Sequence, residues 1–221
     1  VINFRDEKDI DINVIANYDV IEHIYDIEDF LNKLKLLSNS FQSVFFASGA
    51  NSLNPKIDKQ LRKQHIYFEN NDRELKAGRK PTDETRALVK VREEIISQLN
   101  LRLNQEEIQQ LVELTRGMMV DGIKDATKKY TDTGTLPNKP SHPTNTCDPY
   151  TGNWFEHLMD PFYLANILRE HGYKSEVIPG YYGKSKKTTY NIIKAFLNIA
   201  ISSNKYLGLR MAPFYSIMGY K

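Results

Sequence analysis

A single cysteine, Cys147, stands in 221 residues. No internal disulfide can form from it, so a reducing compartment is expected and a structural zinc site built from several cysteines is excluded. An excess of one charge is lacking as well: Lys and Arg number 30 against 28 Asp and Glu, a formal net charge of +2. That balance gives no electrostatic case for a nucleic-acid partner or an anionic membrane. Long apolar runs are missing too. The nearest, Tyr190 to Ile201, is interrupted by Asn191, Lys194 and Asn198. It falls short of the ~20 residues of a membrane span and reads as an amphipathic helix. With no basic-then-apolar leader and no lipidation signal in view, a cytoplasmic protein without a membrane span is expected. Residue 1 is Val and not Met, and it opens a strand-like Val1-Ile2-Asn3-Phe4, so the chain is expected to be part of something longer. At roughly 100–200 residues per domain, its length suits one large domain or a domain carrying a big insertion.

What the sequence does contain is α/β texture at both ends. Ile12 to Ala16 and Ser43 to Ala47 are mostly apolar and rich in β-branched types, as expected of parallel strands covered on both faces. Between them, Asp26 and Asp29 open a helix whose Ile27, Phe30, Leu31 and Leu34 fall three and four apart, with Ser38-Asn39-Ser40 as its stop. After Pro55 the texture turns strongly polar up to Pro81 and then helical. One helix starts near Thr82 with Leu88, Val91, Ile95 and Leu99 on a face. Asn104 caps another bearing Ile108, Leu111, Val112, Thr115 and Met119. Thr131 to Tyr150, with Gly134, Pro137, Pro140, Pro143 and Pro149, reads as a long loop. Regularity returns with Asp160 as N-cap and Pro161 at the first position of a helix to His171, with Gly172 as its stop. A strand Ser175 to Ile178, a helix from Thr188 to Ser202 and a last strand Met211 to Gly219 follow. The expected division is 1–55 and 151–221 as two parts of one sheet domain. Residues 56–150 then form a helical insertion and long loop that cap the acceptor site.

One segment carries a resemblance. Asn17-Tyr18-Asp19-Val20-Ile21-Glu22-His23-Ile24, followed by Tyr25-Asp26 and an acidic helix start, resembles the segment after the fourth strand of class I S-adenosylmethionine-dependent methyltransferases. There D-V-I-E-H-[IV] precedes x-D and a helix. The strand at Val44 to Ser48 sits where that family places its fifth. Asp160-Pro161-Phe162-Tyr163-Leu164-Ala165, the Gly172-Tyr173 turn and Ile178-Pro179-Gly180-Tyr181-Tyr182-Gly183 resemble the closing helix and strands of a bacterial branch. The resemblance spans Ile12 to Asn51 and Asp160 to Lys221, under half the chain. It implies a Rossmann-like methyltransferase sheet with strand order 3-2-1-4-5-7-6, S-adenosyl-L-methionine as cofactor, and transfer of a methyl group to a small-molecule or glycan acceptor. The family's glycine-rich loop and the acidic residue ending its second strand have no counterpart here. Val1 to Phe4 would be the third strand, so the sheet is expected to be incomplete, lacking its first two strands. These residues alone are expected to be inactive.

The resemblance brings Asn17, Tyr18 and Asp19, at a strand's carboxyl end, to the methionine and sulfonium end of the cofactor; Asp19 as a plain turn cap is compatible with that. Glu22 and His23 are the candidate catalytic pair, because methylating a hydroxyl requires removal of a proton and an imidazole can accept one near neutral pH. Small-RNA 2′-O-methyltransferases hold a divalent metal with E-x-x-E-H and a distant histidine. Here the spacing is Asp19-x-x-Glu22-His23, with His142 or His157 to complete it, and relatives with D-x-x-E-H also work without metal; none is assigned. Acceptor binding is expected from Asn51, from Arg116 on the insertion, and from Asn145, Asn153, Trp154 and His157. The last four lie in a loop dense in hydrogen-bonding groups. That loop is equally read as holding itself together by Asx turns and a buried Trp. Cys147 is not expected to be a nucleophile, since methyl transfer is a direct displacement. The alternative function is a catalytically inactive, methyltransferase-like interaction module. A nicotinamide-dependent dehydrogenase is disfavoured for want of a dinucleotide fingerprint.

Overall fold

A computed structural model describes residues 13–37, 43–73, 86–186 and 188–221. The strand expected at Val1 to Phe4, the Ser38 to Ser40 stop and the helix start at Thr82 lie outside the described residues. The chain forms two compact units, one of residues up to Lys59 with Leu158–Lys221, the other Gln60–His157.

The first unit is α/β, with a mixed sheet of four described strands: β1 Val14–Tyr18, β2 Ser43–Ser48, β3 Lys174–Pro179 and β4 Tyr215–Tyr220, in the order β1-β2-β4-β3. β1 and β2 run parallel, with Val14 opposite Ser43 and Tyr18 opposite Ala47. β4 is antiparallel to both its neighbours. Helix α1 (Ile27–Leu37) makes the crossover from β1 to β2 that two parallel strands require. Its start is fixed by Asp26, whose Oδ1 accepts the Asp29 amide at 2.9 Å. α6 (Pro161–Glu170) begins at Asp160, which accepts the Phe162 amide at 2.8 Å, and ends before Gly172 at φ 86°. Ile21, Leu31, Phe46, Leu164, Leu168, Val177 and Ile217 belong to one buried cluster. Each such side chain contributes about 1.5–3 kcal/mol.

Two expectations for this unit need correction. The described strand runs Val14–Tyr18, past the expected end at Ala16, and it is not covered on both faces, which departs from the apolar pattern but agrees with a sheet that lacks neighbouring strands. β2 is its only strand partner among the described residues, and Val14 and Tyr18 are both 58% exposed. The closing segment is also divided differently. After α7 (Thr188–Ser203), Asn204 caps a further helix, α8 (Lys205–Met211), and only then does β4 begin. The reversal works because Gly208 lets the α7 backbone come close: a Cβ there would stand 2.5 Å from the Ile201 carbonyl oxygen.

The second unit is helical. α2, Pro55–Asn70, whose residues from Gln60 onward belong to this unit, occupies the stretch read as strongly polar, and starts where Asn54 Oδ1 accepts the Lys56 amide at 3.0 Å. Its polarity concealed it, because only Leu61 and His65 are buried. α3 (Leu88–Ser97) and α4 (Gln105–Leu114) follow, the latter with the full Asn104/Glu107 capping box. α4 stops at Thr115, and a separate α5 (Val120–Thr133) follows with Met119 at its N-cap position, where the sequence predicts one helix face continuing to Met119. The break is at Gly117, φ 81°. Val91, Ile95, Ile96, Leu111, Val112 and Ile123 form this unit's core.

Candidate functional site

In the first unit the candidate catalytic and cofactor residues gather at the carboxyl ends of the parallel strands β1 and β2. Asp19 leaves β1 in a left-handed conformation, φ 51°, which Asp tolerates better than most residues. Its amide donates to the Ala47 carbonyl at 2.9 Å and its Oδ1 accepts the Gly49 amide at 3.0 Å. One residue thus ties the two strand ends together from backbone and side chain. The chain then makes a single 3-10 turn, Ile21–His23, with Ile21 and Glu22 wholly buried and His23 half-buried.

A carboxylate out of reach of water is costly unless its surroundings answer it. Around Glu22 are residues that the sequence reading missed. Tyr215, the first residue of β4, sits opposite Ser48 on β2 and is also wholly buried. Burial pushes its hydroxyl well above the usual tyrosine range, the charges of Glu22 and Asp160 push the same way, and the neighbouring Ser48 side chain opposes them. Tyr18 is raised by burial and by Asp19 and Glu22; its ring meets Phe214 edge-on at 5.8 Å. Asn17 Oδ1 is buried with no hydrogen-bond partner among the described residues. Asn51, expected to bind acceptor, is instead wholly buried. Its Nδ2 donates to the Leu209 and Ala212 carbonyls at 2.8 and 3.1 Å, and its Oδ1 accepts the Leu53 amide. It fastens the segment after β2 to α8 and has no surface with which to meet a ligand. Tyr215 had no local signal, since only the strand register brings it to Ser48.

The second unit holds the other candidates. Arg116, Asn145, Trp154 and His157 line one cavity of about 340 Å³. Asn153 is exposed and does not line it; its carbonyl accepts the Asp148 amide at 3.0 Å. Trp154 and His157 stack with ring centroids 4.2 Å apart and planes at 19°. Gly117 lies against the indole edge, where a Cβ would stand 2.9 Å from the ring. The loop does hold itself together: Asp148 Oδ1 accepts the Tyr150 amide at 2.8 Å, and Phe155 N donates to the Thr146 carbonyl at 3.1 Å. An Asx turn and a cavity wall are therefore properties of the same segment.

Electrostatics separate the groups in this unit. Burial lowers His157 to about 4, helped by His142 and His65, so its ring is neutral at pH 7. Burial pushes the Cys147 thiol up to about 12, which leaves it inert as a nucleophile. Arg116 is lowered by burial, against the opposing charge of Glu69, and its Nη2 donates to the His142 carbonyl at 3.1 Å. Behind it Arg92, wholly buried on α3, pairs with Glu69 of α2 and donates its Nε–H to the Val112 carbonyl at 2.9 Å. Thr146 donates its hydroxyl to Glu69 at 2.8 Å. His65 is another residue the sequence reading missed, hidden with the helix that carries it; its ring reaches Thr144 Oγ1 and the Glu156 carbonyl at 3.3 and 3.1 Å.

Comparison with protein-family models, with curated proteins and with solved structures finds no match. No described helix is long and apolar enough to cross a membrane.

Proposed function

We propose that the chain carries the catalytic half of an S-adenosylmethionine-dependent methyltransferase acting on a small-molecule or glycan acceptor. The observation that carries this reading is the tie made by Asp19 across the carboxyl ends of two parallel strands, the place where open α/β sheets bind ligands. The order β1-β2-β4-β3 supports it further, since it coincides with strands 4-5-7-6 of the order implied by the D-V-I-E-H resemblance. The residues present suit the methionine end of that cofactor: the buried acceptor Asn17 Oδ1, unpartnered among the described residues, is what an α-ammonium group would satisfy.

When bound, the cofactor supplies an electrophilic methyl group on sulfur. Asp19 holds the strand ends in register beneath it. His23 is the base that takes the proton from the attacking hydroxyl, and the buried Glu22 next to it in the turn orients that base. Arg116, Asn145, Trp154 and His157 bind the acceptor. Alignment of the two reactants supplies most of the acceleration.

Calorimetric titration of S-adenosylmethionine into the protein as its gene encodes it tests this. Micromolar binding, weakened about tenfold by Asp19→Ala, with His23→Ala keeping affinity and losing turnover, supports it. Absence of binding overturns it and favours the second reading, a methyltransferase-like interaction module. The specific observation on that side is the apolar face of α7, where Phe196 and Ile199 are 69% and 67% exposed.

A further inference from the structure

The cavity in the second unit has a charge composition that specifies its ligand. Two permanent cations, Arg116 and Lys139, and two histidines, His142 and His157, line it, and none of its lining residues is acidic. The larger cavity nearby, of about 600 Å³, differs in kind: Glu69, Glu93 and Glu113 face Arg92 and Arg116 there, and the charges answer one another.

Among the residues that line the smaller cavity, two buried nitrogens, Arg116 Nε and His157 Nδ1, have no hydrogen-bond partner among the described residues. An arginine Nε–H can only donate, so the group that completes it is an acceptor. Glu69, the carboxylate closest in influence to Arg116, is already engaged by Arg92 and Thr146. The guanidinium fork is suited to a pair of oxygens on carboxylate or phosphate. Beside it stand the stacked Trp154 and His157 and the amide of Asn145, an apolar wall with polar groups at its edge. A volume of about 340 Å³ lies at the small end of ligand pockets.

We propose that this cavity binds a small organic anion, its carboxylate or phosphate oxygens on Arg116 with Lys139 adding charge, and its body against Trp154. As a statement about the acceptor, that it is anionic, the inference rests on the methyl-transfer reading. As a binding site it does not.

Trp154 is the one tryptophan of the chain, so its emission reports the cavity directly. The whole protein, without S-adenosylmethionine, is titrated with inorganic phosphate, glucose 6-phosphate, glucuronate and uncharged glucose at ionic strength matched with sodium chloride. A saturable change with an anionic probe and none with glucose is expected. Glucose 6-phosphate against glucuronate distinguishes a phosphate ligand from a carboxylate. Arg116→Gln weakens the binding about tenfold or more. Should that variant fail to fold, the exposed Lys139 decides: Lys139→Gln weakens binding about threefold and Lys139→Glu about tenfold. A response that follows ionic strength alone, equal binding of glucose, or indifference to both Lys139 variants overturns the site. Anion binding without cofactor binding keeps the site and removes methyl transfer; cofactor binding without anion binding does the reverse.

Discussion

His157 shows how far one side chain's environment can carry. Its pKa of about 4 lies below the ordinary 6.5 because burial, and then His142 and His65, disfavour the imidazolium. The unfolded chain therefore binds more protons than the folded one between those values, and stability falls as pH drops from about 6.5 through 4. Urea unfolding at pH 7 and at pH 4.5 should show a loss on the order of 2 kcal/mol from this group, allowing for the ring's partial exposure. His157→Gln should lose less over the same interval; an equal loss would mean that the ring is not buried in solution. Gly117 gives a second test. At φ 81°, with the Trp154 ring 2.9 Å from where a Cβ would stand, Gly117→Ala should cost about 2 kcal/mol and alter the near-ultraviolet dichroism of Trp154. At this scale the sequence showed cavity residues as a cluster, because Asn145, Trp154 and His157 lie in one loop. It misassigned Asn51, since an Asn at a strand end looks the same whether its amide meets a ligand or the Leu209 and Ala212 carbonyls.

Among the elements, those with both a cap and an apolar stripe were legible: α1 with Asp26, α4 with its Asn104 box, α6 with Asp160-Pro161. Three that are held by few buried side chains were not. α2 buries Leu61 and His65, α5 buries Ile123 and Thr127, and α8 has a single turn's worth of Gly208 and Leu209. Periodicity cannot reveal a stripe of two residues. What holds α2 to α3 is instead an ion pair, Arg92 with Glu69, which no pattern of apolar residues records. Arg92 has 1% of its side chain exposed and Glu69 13%. Removing one partner leaves the other charge buried, so Arg92→Met should destabilise by about 3–5 kcal/mol. Arg92→Met with Glu69→Met should recover much of that loss, and chemical denaturation of the four proteins of the cycle measures the coupling. A cost below about 1 kcal/mol for the single change would place the pair in water.

For the whole molecule the α/β class was legible, and so was an incomplete sheet, whereas the apolar pattern of the first strand by itself suggested fuller cover than the four described strands provide. Apolar composition marked β1 as a central strand, whereas its alternating exposure is that of a strand with one partner among the described residues. The same holds for α7. Tyr190, Ile192, Ile193, Phe196 and Ile199 are each more than half exposed, and Ile201 is its one buried residue among those described. Amphipathic spacing identified the helix correctly while saying nothing about which face the fold covers. An apolar stripe of this length in water favours association, yet contributes little to folding because it buries little within the chain. Phe196→Glu together with Ile199→Lys should therefore move the unfolding free energy by less than about 0.5 kcal/mol, while light scattering and sedimentation at rising concentration show less self-association. A loss of about 2 kcal/mol or more would mean that this face is already covered within the molecule, since exposed side chains at these positions have no packing to lose.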